Sequence, residues 1–310
     1  MFLSVIVPVF NAQESVTHCV ASIMTAIGQL GQAYMEAEVI IVNDGSQDQT
    51  QAIAENLAKE HPQISVIQQD NLGVSAARNR GLSAASGKWV CFVDDDDTIV
   101  DNALQLFYRN EPHADMVILR SFCKNKERYP WGNSFKPGSN YTTDAIMQKG
   151  YLRGSICGCI FNRAFLVDNG LHFPEGVRLS EDTVFFGACL SMIQTICFLD
   201  IPFYLITPRP DSASRKRQEE DLDALHQAIR ATIERVPNTA VRNYTAFKLI
   251  INYTSRAVDC GVSVQNARES LSGILPLDLS GIHSERWKMV LLNSSYHLFY
   301  KLISLRDGYR

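Results

Sequence analysis

Apolar residues recur along this chain at two periods. Runs of strand length fall at 3–9, 39–42, 64–67, 89–93 and 116–119. Between them Val16, Cys19, Val20, Ile23, Met24 and Ile27 repeat at helical spacing, as do Ile53, Ala54 and Leu57. The Ala-rich stretch 75–85, with Leu82, is again helix-like. This βαβα alternation predicts an α/β fold: a mainly parallel, Rossmann-like central sheet flanked by helices.

Periodicity fades from 122 to 150, where Pro130, Gly132, Pro137 and Gly138 mark loops. Short strands are expected at 155–161 and 195–198. The character changes after Pro208-Arg209-Pro210, where a charged stretch at 215–221 leads into a largely helical remainder. The expected division is an α/β domain at 1–210 and a helical C-terminal region at 211–310.

Near the end, Trp287, Val290, Leu291, Leu298, Leu302 and Leu305 line one helical face. Met289, Leu292, Tyr296, Phe299 and Ile303 line much of another. One long helix over 287–305 is expected, sandwiched on the α/β domain or on a second subunit as a homodimer. Basic residues Arg286, Lys288, Lys301, Arg306 and Arg310 flank it, and they suit the alternative of peripheral membrane contact.

Composition narrows the class. With 310 residues, 46% apolar and 20% charged, the chain reads as an ordinary globular protein. A net charge of −4 argues against nucleic acid as a partner. The eight cysteines include only a C-x-C pair, Cys157 and Cys159, and no zinc-type spacing, so reduced thiols and a cytoplasmic setting are expected. The N-terminus lacks a charged leader region and breaks at Pro8, which reads as a strand rather than a signal peptide. No apolar run is long enough to span a bilayer.

Candidate chemistry lies at the strand ends. The first strand ends Pro8-Val9-Phe10-Asn11, and the second ends Asn43-Asp44-Gly45-Ser46, followed by Asp48 and Thr50. The run 89–93 is followed by four aspartates, Asp94 to Asp97. In a doubly wound sheet these ends share one edge, where ligands bind. Adjacent carboxylates raise one another's pKa values unless a cation offsets them. They therefore suit a divalent metal, or, on the plainer reading, a helix over 98–106 with Asp97 at its N-cap. Asp44 suits an acceptor for a base N–H or a ribose hydroxyl; its segment also reads as a plain turn and helix cap. Arg78, in the helix-like stretch, could pair with a diphosphate through its planar fork or lie solvated on the surface.

Pro8-Val9-Phe10-Asn11, Val42-Asn43-Asp44-Gly45-Ser46, Asn71-x-Gly73 with Ala77-Arg78-Asn79-x-x-Gly81, and Phe92-Val93-Asp94-Asp95-Asp96-Asp97 together resemble the family 2 glycosyltransferases in order and spacing. The resemblance is close over the first 100 residues and looser to about 215. It implies a GT-A fold, with nucleotide-sugar binding in 1–100, the acceptor side in 101–210 and a helical extension beyond. It implies that Val9 and Asp44 border the nucleobase and that Pro8 and Asn11 belong to the same nucleotide-sugar-binding set. By the same resemblance Arg78 lies near base and diphosphate, Asp94 approaches the ribose, and Asp96 ligates Mg²⁺ or Mn²⁺. Asp95 belongs to the nucleotide-sugar-binding group, at a position where the family often has a small residue. Asn43 replaces a frequent aspartate.

The pair Glu181-Asp182 follows Ser180, which reads as an N-cap with first-turn acids behind it. The resemblance instead implies a catalytic pair with Asp182 as base. It also implies an inverting transfer from a nucleotide-diphosphate sugar, UDP-linked, to a saccharide or lipid-linked saccharide acceptor in bacterial surface polysaccharide synthesis, such as O-antigen or capsule. Phe203-Tyr204 with Arg209, Ser212, Ser214 and Arg215 resembles the family's segment after the last core strand. Two other classes are open. A nucleotidyltransferase would need a Gly-rich phosphate loop with a lysine near the N-terminus, and no lysine precedes Lys59. A non-catalytic nucleotide-sugar-binding protein would be expected to have lost Asp96 or Asp182, and both are present.

Overall fold

The apolar runs condense into one mixed sheet. The structure is a computed structural model that describes residues 1–123, 126–128, 131, 134–208, 218–282 and 285–307, with backbone alone at 32–34, 128, 306 and 307. The strands are β1 (Leu3–Val9), β2 (Ala37–Asp44), β3 (Ile64–Gln69), β4 (Trp89–Phe92), β5 (Thr98–Ile99), β6 (Met116–Cys123), β7 (Lys126–Arg128), β8 (Asn140–Tyr141), β9 (Cys159–Asn162) and β10 (Ile196–Ile206). Their order is β3-β2-β1-β4-β9-β6-β10-β5, with β7 beside β6 and β8 beside β10.

Strands β3, β2, β1 and β4 are parallel, as are β6 and β10. The parallel blocks are joined through β9, which runs antiparallel to both β4 and β6. Every residue of β1 is buried, as expected of a strand covered on both faces. Covering the sheet are α1 (Val16–Gly28), α2 (Thr50–Glu60), α3 (Val74–Ala84) and α4 (Ala103–Asn110). Helix α3 lies close on β1 and β2 because Gly81 offers no side chain there. A Cβ at that position would fall 2.4 Å from Ile6 Cγ2.

Packing divides the chain into two units. The sheet unit comprises Met1–Thr142, Ile156–Gly176 and Ile193–Pro208; the helical unit comprises Thr143–Ser155, Val177–Met192 and Arg209–Arg310. The last crossing follows Pro208, and residues 143–155 and 177–192 belong to the helical unit although they precede it in sequence. Within that unit lies α5 (Thr143–Gln148); α6 (Arg163–Asp168) belongs to the sheet unit. Helix α7 (Glu181–Met192) is buried at every position from Thr183 to Leu190. It packs with α8 (Glu220–Arg235) and α9 (Thr239–Asp259). Gly187 permits the α9 contact, since a Cβ there would lie 2.8 Å from Thr245 Oγ1.

The helical unit carries a buried ion cluster. Asp221, in the first turn of α8, pairs with Arg256 of α9 and, at 3.3 Å, with Arg178 in the loop before α7. Asp221 and Arg256 are both buried. Removing the carboxylate would take a buried ion-pair partner from Arg256, so Asp221→Ala should cost about 3–5 kcal/mol. Chemical denaturation of the purified chain checks this; a loss below about 1 kcal/mol would mean that water replaces the carboxylate.

Two expectations are corrected. Thr98 and Ile99 form β5, antiparallel to Leu205 and Tyr204 of β10, and the following helix starts only at Ala103 with Asn102 before it. Asp97 therefore caps no helix; its Oδ1 accepts the Thr207 N–H at 2.8 Å. The β-branched pair at 98–99 finds strand partners, and that tertiary pairing overrides the local capping signal. The single C-terminal helix is also two: α10 (Val264–Ser270) is followed by α11 (Arg286–Ser294) and α12 (Tyr296–Asp307). Ser295 leaves the helical region at φ −155° and ψ 89°, after Asn293 and Ser294, residues whose side chains compete for backbone hydrogen bonds. Within the chain, these two helices are covered on one side. Met289, Leu292, Tyr296, Phe299 and Ile303 are buried, while Trp287, Val290, Leu298, Leu302 and Leu305 are exposed.

Candidate active site

The parallel register brings the polar strand ends to one edge. Val9 pairs with Asn43, Asp44 pairs with Gln69, and Phe92 pairs with Ile6, so the aspartates that follow β4 emerge beside Pro8 and Val9. Pro8 and Val9 are themselves buried in β1, whereas Asn11 is exposed and adopts a left-handed φ of 50°. Its amide is engaged in structure: Asn11 Oδ1 accepts the Gln47 N–H at 2.9 Å, and its own N–H reaches Ser46 Oγ at 2.9 Å. Asn43 Oδ1 accepts the Ser46 N–H at 3.1 Å and the Ser46 hydroxyl at 2.6 Å. The first two strand ends are thus laced together by side-chain amides and a serine.

Asp44 is buried and holds the turn across the edge. Its Oδ1 accepts from Gln69 Nε2 (2.8 Å) and the Leu72 N–H (2.9 Å), and its Oδ2 from the Gly73 N–H (2.8 Å). A carboxylate has about four acceptor sites, so roughly one remains for a ligand. Gly45 must be glycine for a local reason. Its φ is +74°, and a Cβ would sit 2.7 Å from the Asn71 backbone nitrogen. Gly45→Ala should therefore displace the Asn71–Gly73 turn at a cost of about 1–3 kcal/mol. The measurement is the melting temperature of the variant against the natural protein; an unchanged value would show the turn to be slack.

Arg78 is not a solvated surface arginine. It is 3% exposed, and Nη2 donates to Asp94 Oδ1 at 2.8 Å. Its guanidinium lies 5.1 Å from the centroid of the Phe173 ring, which packs edge-on against Phe92. Asn79, next in sequence, clamps the Phe173 backbone: Oδ1 accepts its N–H at 2.8 Å and Nδ2 donates to its carbonyl at 3.0 Å. Phe173 was not singled out by sequence reasoning. No local pattern marks it, since its partners are more than 80 residues away.

The acidic turn is fixed at each member by a different contact. The Asp94 N–H donates to the Tyr204 hydroxyl oxygen at 3.0 Å, and Ser15 Oγ donates to Asp95 Oδ2 at 2.7 Å. Asp95 therefore ties the turn to the start of α1. The Asp97 N–H closes on the Asp94 carbonyl at 3.0 Å. Burial, and then the neighbouring Asp94 charge, push the Asp97 carboxyl up to about 7. Burial likewise pushes the Tyr204 phenol up and keeps it protonated as a donor.

Carboxylate oxygens of Asp94 and Asp97 and the Cys157 sulfur lie within 4.8 Å of one another. Asp96, half-buried, is not in that group of three. Two neighbouring carboxylates fit a hard divalent cation that completes its shell with water and substrate phosphate; a thiol does not suit Mg²⁺ or Mn²⁺.

Glu181 and Asp182 open α7 in the helical unit, both half-buried. Ser180 enters the helix at a left-handed φ of 65°, and its carbonyl accepts the Thr183 and Val184 N–H groups. Thr183 Oγ1 donates to the Gly154 carbonyl at 3.3 Å. Arg209, Ser212, Ser214 and Arg215 lie outside the described residues.

Comparison with known proteins agrees with this layout. The sequence model described as glycosyl transferase family 2 matches residues 4–171, more than half of the chain. The uncharacterized glycosyltransferase YibD of Escherichia coli K12 is 26% identical over 267 residues, 80% of this chain and 73% of that protein. Glycosyltransferase GlyA of Streptococcus pneumoniae serotype 4 is 38% identical over 252 residues, 76% of this chain but 35% of that longer protein. Among solved structures, Staphylococcus aureus TarS 1–349 in complex with UDP-GlcNAc superposes with a TM-score of 0.70 at 22% identity. It spans 100% of this chain and 93% of its own. That likeness establishes the fold.

Proposed function

The chain belongs to glycosyl transferase family 2, and from that premise we propose that it moves a sugar from a UDP-linked donor to a saccharide hydroxyl with inversion. The observation that carries this reading is the strand-end cluster, in which buried Arg78 pairs with Asp94 beside an Asp97 held near 7. A site built this way gathers carboxylates whose mutual repulsion a cation would offset. Pro8, Val9, Asn11 and Asp44 shape the nucleobase side, Asp94 faces the ribose, and Asp95 braces the turn through Ser15. Arg78 holds Asp94 in place and keeps one side of the cluster electropositive.

Asp96, with Asp94 or Asp97 beside it, would hold Mg²⁺ or Mn²⁺, which supplies charge neutralisation for a departing diphosphate. Asp182 accepts the proton of the attacking hydroxyl, and Glu181 supports it from the same helix turn. The fold neighbour TarS was solved with UDP-GlcNAc, which supports a UDP-linked hexose or N-acetylhexosamine as donor. We place the reaction in bacterial surface polysaccharide synthesis, at the cytoplasmic face, on a lipid-linked saccharide.

Donor choice is tested by thermal shift with UDP-, GDP- and dTDP-sugars in the presence of Mn²⁺. UDP-sugars should raise the melting temperature most, and binding at one hundred times Kd adds about 2.7 kcal/mol. A larger rise with GDP-sugars would overturn the UDP assignment.

A further inference from the structure

Helices α11 and α12 bury one side and leave the other apolar. Trp287 is 60% exposed, Leu298 55% and Leu305 65%, with Val290 and Leu302 exposed beside them. In α12 the residues Leu298, Leu302 and Leu305 follow the i, i+4, i+7 spacing that puts side chains on one face. Single exposed apolar residues are ordinary on a protein surface; five on two successive helices, three of them on one face of α12, mark a docking surface.

Charge identifies the occupant. From 286 to 306 the sequence has no aspartate or glutamate but contains Arg286, Lys288, Lys301 and Arg306, on a chain whose net charge is −4. Lys288 is engaged with Glu285, while Arg286 and Lys301 are exposed. Lys301 is three residues after Leu298 and four before Leu305, so its charge borders the leucine stripe. A second copy docking through this face about a two-fold axis would set these basic residues against each other. A surface of anionic headgroups over hydrocarbon matches both the charge and the apolar stripe. Tryptophan at the edge of such a stripe suits the headgroup level. No helix among the described residues is long and apolar enough to cross a membrane, so the face would lie on the surface.

We propose that the exposed face of α11 and α12, with Trp287, Val290, Leu298, Leu302 and Leu305 at its centre and Arg286 and Lys301 on its margin, docks this protein on anionic lipid. The test is flotation of the full chain with phosphatidylglycerol-containing vesicles against pure phosphatidylcholine vesicles at low salt. At least about tenfold more protein should float with the anionic vesicles, and replacing Arg286 or Lys301 by glutamine should cost roughly fivefold each. Leu298→Glu with Leu302→Glu should abolish flotation, and circular dichroism should show the fold unchanged because both sites are exposed. Equal flotation with the two vesicle types, or undiminished flotation of the leucine double variant, would overturn the proposal. So would a vesicle-free dimer in sedimentation that the same double variant splits, since a second copy would then own the face. Vesicle binding is read without turnover, so its failure leaves the sugar-transfer reading untouched.

Discussion

Asp182→Asn is expected to lower sugar transfer by about 10²- to 10⁴-fold while leaving the donor's dissociation constant unchanged. Asparagine keeps the size of aspartate but cannot take a proton. The substitution therefore removes the base with little change in side-chain volume. Asp182 stands in the first turn of α7, whose next eight residues are all buried, so its backbone is held by a fixed scaffold. Arg178, four residues before it, is anchored on Asp221, and Ser180 is locked in a left-handed turn. A carboxylate positioned this way loses little to disorder when it works as a base. Glu181→Gln should cost less, because in the proposed reaction the proton passes to Asp182. The measurements are kcat with a saccharide acceptor and donor affinity by calorimetry. An Asp182→Asn enzyme that keeps more than about a tenth of its turnover would remove the base assignment. A fall in donor affinity to match the fall in kcat would move Asp182 to the binding side.

Much of the sheet unit was legible before the structure because its strands are long and apolar. The run at 3–9 became β1 residue for residue, while 39–42 and 64–67 became the centre of β2 and the start of β3. Their polar ends pointed to one edge because parallel topology leaves little choice. The contacts that give those ends their shape were not legible. Asn11, Asn43 and Asn79 look like turn or surface residues, yet each spends its amide on a backbone group or hydroxyl that only the folded chain supplies. The hold of Ser15 on Asp95 was not legible because the two lie 80 residues apart. Strand β5 was missed because two residues are too few for any period to register. The C-terminal helix was read as continuous because apolar residues recur on both sides of Ser295, and periodicity counts residues without sensing where the backbone turns. Which of its two apolar faces is covered depends on α9 and α10, and the helix's own sequence does not contain that information.

Asp97 should make the protein less stable as pH rises, and a divalent cation should reverse the trend. The ordinary aspartate value of 3.8 is pushed up to about 7 in the folded chain, by burial first and by Asp94 second. Below pH 4 the carboxyl is protonated in both folded and unfolded states, and its contribution is level. Between about 4 and 7 the unfolded chain releases the proton while the folded chain retains it, so stability falls with pH. Above 7 the loss is complete, at most about 4 kcal/mol. Asn cannot ionise, and at position 97 it can still accept the Thr207 N–H. Asp97→Asn should therefore flatten the slope and raise the melting temperature at pH 8, with little change at pH 4. Mn²⁺ should stabilise the natural protein more at pH 8 than at pH 5, because the carboxylate it favours is the form that otherwise strains the turn. The Asn variant should lose part of that response. Melting temperatures of both proteins across pH 4 to 8, with Mn²⁺ or EDTA, decide the matter. A natural protein whose stability climbs from pH 5 to pH 8 without cation would show that Asp97 ionises freely.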